Sequence, residues 1–137
     1  MVVGRAARAV RPPPLSPHLQ VWRWHVTMAA SIATRATGVA LYVGALIAAA
    51  FAVCLAMGPD AYAGYLAVMG SALGKLVLFG LTVSVFYHLA AGLRHLAWDA
   101  GKGFQPGVAD RTAIAAFAFG LLAAIATWAV AFMTGAA

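Results

Sequence analysis

Acidic side chains are almost missing from this sequence: Asp60, Asp99 and Asp110 are the only three in 137 residues. Charged residues of both signs make up 9%, against about 25% in an ordinary soluble domain. So few charges cannot cover the surface of an aqueous fold of this length, and that class is excluded. Cysteine is reduced to Cys54, so no intramolecular disulfide can staple the chain into a small secreted scaffold. Apolar residues, by contrast, reach 64%. That excludes intrinsic disorder, since disordered chains lack apolar surface to bury. An integral membrane protein remains.

The nine basic residues outnumber the acids and give a net charge of +6. Arg5, Arg8, Arg11 and Arg23 all precede the first long apolar run, and they form no patch interleaved with stacking aromatics. Their placement is that of a cytoplasmic flank, and nucleic acid is not the expected partner.

Three charge-free apolar runs follow: Val39 to Met57, Leu76 to Leu93 between Lys75 and Arg94, and Thr112 to Thr134 after Arg111. Each is long enough to cross about 30 Å of hydrocarbon at 1.5 Å of rise per residue. The fold class predicted is an all-α integral membrane protein with three transmembrane helices, at about 28–57, 66–98 and 111–134, in a domain covering 26–137. Residues 1–25, with Pro12, Pro13, Pro14 and Pro17, read as an extended cytoplasmic arm. Gly58-Pro59-Asp60 is a helix stop, and Asp99 to Asp110 reads as a Gly- and Pro-containing turn. Ala61 to Gly74 is expected to form an interfacial or protruding helical stretch on the other side of the membrane. The loop at Asp60 has no Lys or Arg, whereas the arm and the loop with Lys102 and Arg111 carry several. Positive-inside counting therefore places the N terminus in the cytoplasm and the C terminus outside. A cleavable signal peptide fits poorly, because the first apolar run is too long and too far from Met1.

Polar groups inside a span are costly, so each calls for a functional reading. His88, Gly92, His95 and Asp99 fall on one stripe of the second span. If the hydrocarbon ends near His95, His88 lies about 10 Å deeper. A neutral imidazole there needs a partner for its lone pair, and haem iron is one. Gly92 removes a side chain where a macrocycle needs room, while Arg94 and His95 are placed to meet haem propionates. A membrane histidine also commonly hydrogen-bonds a neighbouring helix, and the residues alone leave both uses open. His88 and His95 share a face, and the first and third spans contain no histidine. A second axial protein ligand must then come from another chain.

The first span carries a second constellation, Ser31 and Arg35, one turn apart on one face. A hydroxyl and a guanidinium beside an apolar crevice suit the carbonyl oxygens of a quinone and the negative charge that develops on reduction. The alternative is an arginine that snorkels to phospholipid and a serine bonded to its own helix.

Read together, Arg11-Pro12, Ser16-Pro17-His18-Leu19, Ser31-Ile-Ala-Thr34-Arg35-Ala-Thr37-Gly38 and the run from His88 to Asp99 resemble the cytochrome b membrane-anchor subunits of succinate dehydrogenase, respiratory complex II. The second signature, His-x-x-x-Gly-x-Arg-His-x-x-x-Asp, is intact. In the first, Thr34 stands where the family usually has histidine, so a cationic partner for a propionate is lost at that position.

The resemblance implies that His88 is an axial ligand of one haem b, shared with a second small membrane-anchor subunit. Arg35 and His95 match positions near the propionates, and Ser31 and Arg35 match the quinone pocket. The implied partners are a flavoprotein subunit and an iron–sulfur subunit on the cytoplasmic face of a bacterial inner membrane. The chain would belong to an enzyme without being catalytic alone, because the flavin chemistry is not on it. A haem-free structural anchor and the anchor of a fumarate reductase are the alternative functions.

Overall fold

The computed structural model describes residues 22–135, and the proline-containing arm before Trp22, with Arg11 and the Ser16-Pro17-His18-Leu19 sequence, lies outside the described residues. Four α-helices follow in order: α1 (Val26–Met57), α2 (Pro59–Met69), α3 (Ala72–Asp99) and α4 (Pro106–Met133). No strand occurs among the described residues. Helices α1, α3 and α4 are long and apolar enough to cross a membrane, so the chain is the all-α, three-span membrane protein that its composition requires.

Local chemistry sets each boundary. α1 begins where extended His25 accepts the Thr27 amide on its ring nitrogen, occupying one of the orphan donors of the first turn. It ends at Gly58, whose φ of 110° favours a residue without Cβ. α4 opens on Pro106, whose missing N–H costs nothing in the first turn. The turn expected from Asp99 to Asp110 is therefore shorter, because helix runs to Asp99 on one side and restarts at Pro106 on the other.

The span expected over 66–98 is divided. Ser71 stops α2 and starts α3 at once: its hydroxyl donates to the Val68 carbonyl at 2.6 Å and accepts the Gly74 amide at 3.1 Å. The helical stretch expected over 61–74 is found as α2, Pro59–Met69, and it folds back along the end of α1. Phe51 meets Tyr62 and Tyr65 edge-on, with ring centroids 6.0 and 5.6 Å apart. The rise from Lys75 to Arg94 is about 28 Å, close to the thickness of a hydrocarbon core.

α3 packs against both α1 and α4. The face α4 turns to it is built from small residues, with Ala113, Ala116, Gly120 and Ala124 all buried. A Cβ added to Gly120 would lie 2.8 Å from Tyr87 Cβ and 3.1 Å from its backbone nitrogen, so only glycine permits this approach. Small residues at helix contacts are the usual device where lipid offers no hydrophobic force between helices. A polar link closes each end of the seam: Trp128 Nε1 donates to Thr82 Oγ1 at 3.2 Å, and Arg94 Nε to Thr112 Oγ1 at 3.1 Å.

Tyr87 joins all three spans. It is buried, stacks on Phe117 of α4 at 4.8 Å, and donates its hydroxyl to the Ala30 carbonyl of α1 at 2.8 Å. Tyr87→Phe should keep the packing and lose that one bond, at a cost of about 0.5–1.5 kcal/mol. Denaturant unfolding of the purified protein checks it; a change below about 0.5 kcal/mol, the spread of ordinary surface substitutions, would show the bond to be idle.

Candidate functional site

Three spans put the basic end of the bundle together: the start of α1, the end of α3 and the start of α4. There a cavity of ≈ 270 Å³ is lined by Thr27, Ala30, Ser31, Thr34 and Arg35 from α1 and by Arg94, His95 and Trp98 from α3. Four residues singled out in the sequence, Ser31, Arg35, Arg94 and His95, thus share one cavity. Its size is near the lower end of small-molecule clefts, room for a ring head group rather than a whole lipid-tailed molecule.

The donors around it are not equivalent. Arg94 lines the cavity, but its Nε bonds Thr112 Oγ1 at 3.1 Å and its Nη2 the Ala109 carbonyl at 3.2 Å, while the guanidinium lies 4.7 Å from the Trp98 ring. Two of its five N–H donors are directed at α4. His95 Nδ1 donates to the Ala91 carbonyl at 2.7 Å, which fixes the proton on that nitrogen in the neutral ring. Its Nε2 then accepts from a bound group, and donates to a carboxylate only as imidazolium. No hydrogen bond holds the side chains of Ser31 and Arg35 among the described residues, and both residues are exposed. Both are wholly free to donate to a ligand.

His88 and Gly92 stand apart from the cavity, deeper along α3. His88 Nδ1 lies 3.1 Å from Thr37 Oγ1 of α1. The Thr37 hydroxyl has one proton, already directed at the Ala33 and Thr34 carbonyls at 2.8 and 3.1 Å. Nδ1 must therefore be the donor, which leaves Nε2 with a free lone pair. Hydrogen bonding to a neighbouring helix and metal ligation, the two uses open for a membrane histidine, are thus compatible here: the first sets the tautomer that the second needs. Around His88 the walls are low. A Cβ on Gly38 would sit 3.5 Å from His88 Cε1, and one on Gly92 would meet nothing within 4 Å. Among the described residues no three metal-ligating side chains cluster, so a metal at His88 needs its other ligands from a macrocycle or a second chain.

The family model described as the succinate dehydrogenase/fumarate reductase transmembrane subunit matches residues 10–127. The chain belongs to this family. Among its relatives, the succinate dehydrogenase cytochrome b556 subunit of Paracoccus denitrificans is 40% identical over 120 residues, covering 88% of this chain and 92% of the relative. The human mitochondrial cytochrome b560 subunit is 37% identical over 97 residues, or 67% of this chain and 56% of that protein. The cytochrome b556 subunit of Rickettsia felis is 35% identical over 92 residues, 67% of this chain and 71% of its own.

Within this transmembrane-subunit family the departure at Thr34 has a structural reading. Thr34 Oγ1 donates to the Ala30 carbonyl at 2.8 Å and lies 3.5 Å from Tyr87 Oη. Its one proton is engaged by its own helix, so it offers the cavity an acceptor. Several contributors escaped the sequence. Thr37 was visible as part of a motif but without a role, because its partner is 51 positions away. Thr27 precedes Ser31 by one turn, a spacing that marks the same helix face. Trp98 also walls the cavity, with its indole 5.1 Å from the His95 ring and its N–H donating to the Gly103 carbonyl at 3.3 Å.

Proposed function

We propose that this chain is the haem-b-binding membrane anchor of a succinate:quinone oxidoreductase and that its basic-end cavity receives the quinone head group. The observation carrying the reading is that Ser31 and Arg35 of α1 and His95 of α3 line one cavity, with His95 on the stripe of α3 that also carries His88. A quinone carbonyl seated there accepts hydrogen bonds from the Ser31 hydroxyl and the Arg35 guanidinium. The latter, a permanent cation, favours the charge that electrons bring to the ring.

Haem, when bound, supplies a one-electron redox centre. His88 Nε2 would hold its iron, Thr37 would keep the imidazole in the ligating tautomer, and Gly38 and Gly92 leave room beside it. Arg35 and His95 stand toward the cavity where propionates would be met, and Arg94 contributes there only with what α4 leaves free. Any further protein ligand would come from a sister anchor subunit. Electrons from succinate oxidation reach the cavity through the flavoprotein and iron–sulfur subunits, which dock over the basic end on the cytoplasmic side of a bacterial inner membrane. The quinone takes two electrons and two protons to become quinol.

Ser31→Ala or Arg35→Ala in the purified complex should lower succinate:quinone activity about tenfold or more, as loss of a charge-stabilising donor does. Succinate oxidation with an artificial dye should be unchanged. Equal loss of both activities would count against the cavity and indicate a failure of assembly.

A further inference from the structure

The cavity is joined to the outside by a short chain of polar groups that begins on α4. Asp110 Oδ1 is shielded from solvent and makes no hydrogen bond, yet lies 3.5 Å from Nε2 of His25. On the other side of the same ring, Nδ1 lies 2.8 Å from Thr27 Oγ1 and 3.4 Å from the Thr27 amide. Thr27 in turn lines the cavity. A carboxylate, an imidazole and a hydroxyl are thus strung from α4 across the cap of α1 to the wall that also holds Ser31.

The hydrogen-bonding directions define the state seen. An amide can only donate, so Nδ1 accepts, and the ring proton lies on Nε2, toward Asp110. This is the neutral, discharged imidazole. Adding a proton gives an imidazolium whose Nε2–H is held by the Asp110 carboxylate and whose Nδ1–H points at Thr27 Oγ1. His25 is well exposed, with 56% of its side chain accessible, so its ring can turn about the Cβ–Cγ bond, take a proton from water on Nδ1, and turn back.

We infer that His25 and Thr27 form a proton relay, charged from solvent and steadied by Asp110, that delivers protons to the quinone in the cavity. The inference rests on the quinone reading proposed above. In one transfer the imidazolium gives its Nδ1 proton to Thr27 Oγ1, and Thr27 releases its own hydroxyl proton to the reduced quinone oxygen. His25 is left neutral, in the arrangement observed, and is recharged when its ring turns outward and Nδ1 takes a proton from water. Two such transfers, with two electrons from the iron–sulfur subunit, complete the quinol. His25 touches no substrate; it acts through Thr27. It also explains why an imidazole serves as the α1 cap, a place where Asn, Asp or Ser is the common choice.

The test uses the whole purified complex. His25→Asn keeps a capping acceptor but removes the imidazole. Thr27→Val removes the relay hydroxyl, and Thr27→Ser restores it. The expected result for His25→Asn and Thr27→Val is a quinone-reduction kcat lowered about tenfold or more. KM for quinone should stay within about twofold, dye-linked succinate oxidation should be intact, and the solvent deuterium effect on kcat should rise. Thr27→Ser should recover wild-type kcat. An unchanged kcat in His25→Asn overturns the relay. So does a raised KM with kcat preserved, which would make these residues binding contacts, and so does parallel loss of dye activity, which would make them docking contacts. Ser31→Ala in the same assay separates the two proposals: if it alone is impaired, the cavity stands and the relay falls. If Ser31→Ala is unimpaired, the cavity fails and the relay to it fails as well.

Discussion

His88→Ala should abolish the α band of a low-spin b-type haem in the dithionite-reduced minus oxidised spectrum of the purified complex. The effect is expected to be complete because the described part of this chain offers iron one imidazole nitrogen with a free lone pair at that depth. His95 lies about 10 Å nearer the membrane surface by helical rise, and its Nδ1 is engaged by the Ala91 carbonyl. Thr37→Val is the graded companion. It removes the acceptor that holds the His88 proton on Nδ1 without touching the ligating nitrogen. Loss of such a supporting partner at metal sites lowers affinity about 10–100-fold. A weaker or partly occupied band is therefore expected in Thr37→Val, and none in His88→Ala. A band of full height in His88→Ala would assign the iron to another ligand and leave this chain a haem-free anchor.

Gly120→Val is the substitution expected to damage the fold most. The first atom added would sit 2.8 Å from Tyr87 Cβ and 3.1 Å from the Tyr87 amide nitrogen, and these are not the ends of flexible chains. Either α4 withdraws or Tyr87 turns. If α4 withdraws, the packed seam of Ala113, Ala116 and Ala124 opens. If Tyr87 turns, its hydroxyl loses the Ala30 carbonyl and its ring loses Phe117. Overpacking of a close contact costs about 1–3 kcal/mol or more, enough to deplete a marginally stable membrane subunit. The yield of assembled complex and its thermal midpoint are the measures. Gly107→Val, at a position where an added Cβ meets nothing, is the control and should behave as wild type. Equal behaviour of the two variants would mean that the helices do not meet where the structure places them.

Much of this was legible in the sequence because bilayers demand simple signals. Long charge-free runs, ended by Lys75, Arg94 and Arg111, can only be spans, and the His88 to Asp99 motif is specific enough to carry a family. The division at Ser71 was not legible. An apolar stretch on either side of a small polar residue has the same composition whether the helix continues or restarts, and only the bonds from Ser71 to Val68 and Gly74 decide. The partners of His88 and of His25 were hidden for another reason. Each depends on which helix faces which, and a spacing of tens of residues carries no periodicity to read. Sequence offered Arg94 as a cation for a ligand; the structure keeps it in the cavity wall while α4 takes two of its five donors.

The attachment of Arg94 and Tyr87 gives the two walls of the cavity different supports. The wall on α3, with His95 and Trp98, is braced from behind: Arg94 is bonded to Thr112 and Ala109, and Gly120 is set against Tyr87. The wall on α1, with Ser31 and Arg35, is joined to α3 by the Tyr87 to Ala30 and Thr37 to His88 bonds. Above Ala30, toward the opening, no further α1–α3 hydrogen bond occurs among the described residues. At the opening the first turn of α1 is tied to α4 instead, through His25 and Asp110, so the two sides of the cavity lean on the same third helix, one through a guanidinium and the other through an imidazole.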